Sequence, residues 1–147
     1  MNDKAEGEGT YLHYDGAKYE GSWFQDKQHG YGSECWPDGG FYKGMYSFGK
    51  KHGQGKFLWS DGGYYEGEFK ANAIDGFGVF QWKDKRKYTG DWVCNKMSGN
   101  GKFQWPDGKY YEGEYLDDQK HGYGVLVWPN GEVYRGFWKH GKQDDLN

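Results

Sequence analysis

The sequence predicts an all-β fold: an elongated, single-layer, twisted antiparallel meander of about twelve strands. It is built from 23-residue β-hairpin repeats and has a groove lined by aromatic rings and glycines. Three observations predict it. Tyr19, Tyr42, Tyr65, Tyr88, Tyr111 and Tyr134 recur at one fixed interval without a slip, and a fixed period in this range marks a repeat architecture. Apolar and small residues alternate with polar ones around each of these tyrosines, which is the period of a strand. The composition leaves little else: hydrophobic residues are 35% of the chain while aromatics alone are 21%, and Gly occurs 27 times. A round aliphatic core cannot be assembled from that list, and disordered chains are poor in aromatics.

The elements follow in order. Residues 1–6 are expected to be a flexible N-terminus. A half repeat, 7–18, supplies one strand from Gly7 to Tyr14. Full repeats then span 19–41, 42–64, 65–87, 88–110 and 111–133, a second half repeat spans 134–142, and residues 143–147 form a tail. Within each full repeat the first strand carries Tyr, Gly and an aromatic on one face, as in Tyr19, Gly21 and Trp23. A turn follows, with Asp26, Gly49, Asn72, Asn95, Asp118 or Gly141 at the position that must turn left-handed, the residue types that tolerate it. The second strand holds a Gly-x-Gly pair and an aromatic, and a Trp closes it at Trp36, Trp59, Trp82, Trp105 and Trp128. An Asp-Gly or Asn-Gly step then turns into the next hairpin. Glycine weakens a strand unless something approaches its backbone closely, so each Gly is expected to lie under a ring from a neighbouring strand. Mixed charge is expected on the other face. Lys83–Lys87, reading KDKRK, replaces the Asp-Gly step, which predicts the least regular turn there. His13 and Glu34 stand in slots that are otherwise aromatic or aliphatic.

This phrase, Tyr-x-Gly-x-aromatic, five residues, His-Gly-x-Gly, then an aromatic and Asp-Gly, resembles the MORN repeat (membrane occupation and recognition nexus). The resemblance covers about residues 7 to 142 in one frame without insertions. It implies a non-catalytic interaction module. Proteins with similar repeats act in cilia and flagella, in cytoskeletal collars and at membrane junctions, or stand beside lipid-kinase or methyltransferase domains.

Net charge is −3, with 19 basic and 22 acidic residues interspersed, and nucleic acid as a partner would want a basic face. Cys35 and Cys94 make no disulfide framework. No run approaches 18 apolar residues, and MNDKAEGEG carries no apolar signal region. A cytoplasmic protein is the expectation. Equivalent His29, His52 and His121 lie one or more repeats apart. Strand spacing puts neighbours about 10 Å from each other, too far to share a metal, so each is expected to bond to backbone beside a turn. The carboxylates are spread in the same way, the Gly-x-Gly steps precede no helix, and no nucleophile has a base at recognisable spacing. No catalytic residue, cofactor or metal is expected.

What remains is the aromatic stripe. A single sheet layer cannot cover its own aromatic face, and an exposed apolar strip marks a binding surface. The candidate groove residues are Tyr42, Tyr46, Trp59, Tyr65, Phe69, Trp82, Tyr88, Trp92, Trp105, Tyr111, Tyr115 and Trp128. The expected ligand is a peptide or helix of a partner protein, and the resemblance to MORN repeat proteins implies a ciliary or cytoskeletal assembly as its setting. The alternative is a peripheral membrane module that meets anionic phospholipid through Lys83, Lys85, Arg86 and Lys87. Terminal strands with unpaired edges invite self-association. Half repeats at both ends also fit a chain cut from a longer protein.

Overall fold

The computed structural model describes residues 6–144. Among these it contains β-strands and no helix. The expected N-terminus 1–6 and tail 143–147 fall in part outside the described residues. The chain divides into two compact units, residues 1–73 and 74–147. The first holds β1 (Gly7–Leu12), β2 (Lys18–Phe24), β3 (Lys27–Cys35), β4 (Phe41–Ser47), β5 (Lys50–Leu58) and β6 (Tyr64–Lys70). The second holds β7 (Ala73–Gln81) from its second residue on, then β8 (Lys87–Val93), β9 (Lys96–Gln104), β10 (Tyr110–Leu116), β11 (Gln119–Val127), β12 (Val133–Lys139) and the two-residue β13 (Lys142–Gln143). Within each unit every strand pairs antiparallel with its neighbours in the chain. The described residues thus form thirteen strands rather than about twelve, the addition being β13.

The repeat is asymmetric. Its first strand has 7 residues and its second has 9. The surplus forms a bulge: Gly44 faces Gly55 but Tyr46 faces Lys51, so Met45 alone opposes the three residues His52 to Gln54. Gly53 takes φ +88° inside it, a conformation open to glycine at no steric cost. The same step recurs between β2 and β3, β8 and β9, and β10 and β11.

The bulge turns a carbonyl out of the ladder, and the repeat's tyrosine takes it. Tyr42 Oη–H donates to the Met45 carbonyl at 2.8 Å, Tyr19 to Ser22 at 2.6 Å, Tyr88 to Asp91 at 2.8 Å and Tyr111 to Glu114 at 2.9 Å. To reach it, each ring lies flat across the glycine of the next strand. A Cβ on Gly55 would sit 2.7 Å from Tyr42 Cε2 and Cζ, and Gly32 stands in the same relation to Tyr19. The expectation that rings shield bare glycine backbone holds, and it supplies the core. Tyr19, Tyr42, Tyr65, Tyr88 and Tyr111 are 0% exposed. Edge-to-face contacts join them: Tyr19 to Trp23 at 5.1 Å and Tyr46 at 5.2 Å, and Tyr88 to Trp92 at 5.0 Å and Tyr115 at 5.3 Å. Such pairs contribute about 0.5–1.5 kcal/mol each beyond their buried area.

Both turn types match their residues. The hairpin turn has positive φ at both central positions, as in Phe48 (46°) and Gly49 (86°) or Cys94 (46°) and Asn95 (69°). That is the turn whose twist suits a hairpin. At the other turn an aspartate caps its own loop, Asp38 Oδ1 accepting from Gly40 N–H at 2.8 Å. The KDKRK turn is not irregular: Trp82 N–H donates to Arg86 O and Lys85 N–H to Trp82 O at 2.9 Å, as in the Asp-Gly turns. It keeps the shape by holding Lys85 at φ +77° where those turns have glycine.

Candidate functional site: tryptophans with open indole donors

The predicted groove residues separate into two groups by depth. Tyr42, Tyr46, Tyr65, Phe69, Tyr88, Trp92, Tyr111 and Tyr115 are buried, so they form a layer beneath the surface with little exposed area. Burial pushes their phenols up: Tyr111 to about 12, like Tyr19, with Tyr42, Tyr46, Tyr88 and Tyr115 higher still. Trp59, Trp82, Trp105 and Trp128 stay half-buried, as does Trp36.

Hydrogen bonding also divides the tryptophans. Trp23, Trp92 and Trp138 close over glycine carbonyls, their indole N–H donating to Gly9, Gly78 and Gly124 at 3.3–3.4 Å. These are clamps of the fold. The indoles of Trp36, Trp82, Trp105 and Trp128 have no protein acceptor among the described residues. Each lies one residue beyond the end of its strand. Phenylalanines pack against Trp36, Trp59, Trp82 and Trp105. In the first unit Phe57 meets Trp36 at 5.4 Å and Trp59 at 4.7 Å, and in the second Phe103 meets Trp82 at 5.3 Å and Trp105 at 4.5 Å. Each unit therefore presents a short rail of alternating Trp and Phe rings.

A family model for the MORN repeat matches residues 1–18, 19–41, 42–64, 65–85, 88–110 and 111–133. The chain belongs to the MORN repeat family. Among curated proteins none matches the sequence. Solved structures with some likeness include a TCP domain of SAS-4 (dCPAP) from Drosophila melanogaster, in complex with a proline-rich motif of Ana2. It is 10% identical, with a TM-score of 0.33, over 89% of this chain and 90% of that one. Another is the TCP10 domain of Danio rerio CPAP in complex with a STIL peptide, 15% identical, TM-score 0.30, over 85% of this chain and 65% of that one. At those scores the likeness carries no inference about what this chain binds.

The histidine of the MORN phrase has a structural task here. His29 Nδ1 accepts from Phe48 N–H at 3.1 Å and His52 Nδ1 from Ala71 N–H at 3.2 Å, each serving the turn of the following repeat. Asp75, which replaces that histidine, accepts from Cys94 N–H at 3.1 Å. Among the described residues no group of three or more His, Cys, Asp or Glu could hold a metal. Of the basic cluster, Arg86 is engaged: Nε lies 2.8 Å from Asp84 Oδ2 and the guanidinium stands 5.5 Å over Trp82. The Asp84 carboxyl is held below its ordinary range, first by the Arg86 backbone N–H.

Two features go beyond the sequence reading. The opposite face is less uniformly charged than expected, since it exposes Tyr31, Met45, Phe77, Tyr123 and Phe137. On the aromatic face stand three half-buried lysines that sequence reasoning passed over, Lys51, Lys109 and Lys120. Lys51 Nζ lies 5.3–5.6 Å from the rings of Trp36, Tyr42 and Phe57. The signal was available: Lys51 and Lys120 occupy the same slot of the period, opposite Tyr46 and Tyr115.

Proposed function

We propose that this protein is a non-catalytic scaffold that binds a segment of a partner protein on its aromatic face, against the rails of Trp and Phe. The observation that supports it is the set of half-buried indoles with unused N–H donors at Trp36, Trp82, Trp105 and Trp128. The fold buries its core rings but leaves these half-exposed. Tyr and Trp are favoured anchors at interfaces, large in area and with few rotors to freeze. An open indole donor also suits a partner's backbone carbonyl. A ciliary or cytoskeletal assembly is the proposed setting, and it rests on the family resemblance alone.

The test compares pull-downs from cell extract by the wild-type protein, by Trp59→Ser and Trp105→Ser on the rails, and by Phe77→Ser on the opposite face. All variants are first checked for folding. Proteins kept by wild type and Phe77→Ser but lost from a folded rail variant support the scaffold. A bound set that no rail variant alters refutes it, and binding to phosphatidylserine vesicles lost with Lys83, Lys85 and Lys87 would put the membrane alternative in its place.

A further inference from the structure

The second unit carries two ammonium groups against one tryptophan ring. Lys109 Nζ lies 4.4 Å from the centre of Trp105, and Lys120 Nζ lies 5.5 Å from the same ring. Lys120 Nζ is also 5.5 Å from Tyr111 and 5.5 Å from Trp138, so rings surround it on three sides. Ring faces attract a cation but accept its hydrogen bonds poorly. Neither lysine has a carboxylate within ion-pair distance among the described residues. The acids nearest in sequence are turned to backbone: Asp107 Oδ1 accepts from Lys109 N–H at 2.9 Å and Asp118 Oδ1 from Met97 N–H at 2.8 Å. Burial, and then the neighbouring Lys109, lowers the Lys120 pKa. Two like charges are thus held together in a molecule whose net charge is −3.

The equivalent place in the first unit is answered from within. Lys51 fills the slot of Lys120, but Glu34 stands on the same face, accepting from Tyr46 Oη–H at 2.8 Å and attracting Lys51. The slot of Lys109 holds Gly40 there. The two-lysine arrangement therefore belongs to Lys109, Lys120 and Trp105.

We propose that this cluster is a receptor for a carboxylate, and that the partner segment is an acidic peptide. An aspartate or glutamate would accept from Lys109 and Lys120, with an adjacent aromatic or aliphatic residue on the Trp105 ring. The inference deepens the scaffold reading and rests on it. Charge complementarity chooses the occupant. The partial burial of Lys120 beside three rings chooses a side chain over a bilayer, because a carboxylate on a flexible stem reaches a half-buried ammonium that a planar lipid surface does not.

A short random peptide library is selected on the intact protein, on Lys120→Met, which keeps the stem over the rings, on Lys109→Gln, and on Lys51→Met. Folding is checked by circular dichroism and melting. Peptides enriched on wild type should carry Asp or Glu beside an aromatic or aliphatic residue. Their affinity should fall about tenfold or more on Lys120→Met, the scale of a charge-assisted hydrogen bond, and also on Lys109→Gln, while Lys51→Met leaves it unchanged. Exchange of the acid for its amide in the best peptide should match the Lys120→Met loss. Enrichment without acids, or equal losses from Lys51→Met and Lys120→Met, overturns the carboxylate receptor and leaves the scaffold standing. No enrichment on any form, with phosphatidylserine vesicles bound through Lys120, overturns both.

Discussion

Tyr42 shows how much one side chain does in this fold. Its ring seals Gly55, its edge meets Tyr46 at 5.2 Å and Phe69 at 5.4 Å, and its hydroxyl satisfies the Met45 carbonyl released by the bulge. Tyr42→Phe removes only that donor and should cost about 1 kcal/mol. Gly55→Ala drives a methyl into the ring and should cost more, about 1–3 kcal/mol for overpacking. Denaturant titration of both variants checks the order, and a Gly55→Ala protein as stable as wild type would show that the ring is not pinned. The stacking of ring on glycine was legible in the sequence, because alternation places Tyr and Gly on one face. The hydroxyl bond was not, since its acceptor exists only once two extra residues shift the register. Depth was equally hidden. Alternation tells which face a residue is on, so Tyr65 and Trp82 looked alike, whereas the ring that folds back over glycine is sealed and the ring beyond the strand end is left open.

The turns are where element and sequence agree most closely. Asn95 sits at φ 69°, and Asn95 and Ile74 bond reciprocally: Asn95 N–H donates to Ile74 O at 2.8 Å and Ile74 N–H to Asn95 Oδ1 at 2.8 Å. Asn95→Ala loses the side-chain acceptor and puts a methyl in the left-handed region, so it should cost about 2 kcal/mol. Asn95→Gly also loses the acceptor and adds a glycine entropy cost of about 0.5–1 kcal/mol, but it enters the left-handed region without strain, so it should cost less than Asn95→Ala. Equal costs would mean that the strain is no larger than that entropy. Lys85 poses the opposite case, a residue that a better one could replace. It holds φ +77° at a position filled elsewhere by Gly39, Gly62 and Gly108. Lys85→Gly relieves a left-handed strain of about 1–2 kcal/mol against a glycine entropy cost of about 0.5–1 kcal/mol. A small rise in melting temperature is expected, and a fall would show that the lysine side chain stabilises the turn. The Asp-Gly signal placed these turns. Its absence at Lys83–Lys87 misled, because the Asp84 cap and the backbone bonds enforce the same shape without the glycine.

At the scale of the whole chain, stability rests on phenols kept neutral, and this fixes its response to alkali. Burial raises Tyr19 and Tyr111 from an ordinary 10.0 to about 12, and Tyr42, Tyr46, Tyr88 and Tyr115 beyond that. A pKa raised on folding contributes stability that is fully present below the unfolded value and is lost as pH rises through the folded one. The buried lysines act with the other sign. Lys51 and Lys120 are lowered from 10.5, so the folded state gains on the unfolded one as pH climbs toward that value, and the gain is complete there. Six raised phenols against two lowered ammonium groups decide the balance above pH 10, and the core tyrosines lie in both units. The melting temperature should therefore fall steeply from about pH 10 to about pH 12. The near-ultraviolet signal of tyrosinate should then show a late component that appears together with loss of the β-sheet circular dichroism. Ionisation of that component while the sheet persists would mean that water reaches the phenols in the folded state, and that the rings over glycine are not the seal that holds the repeats together.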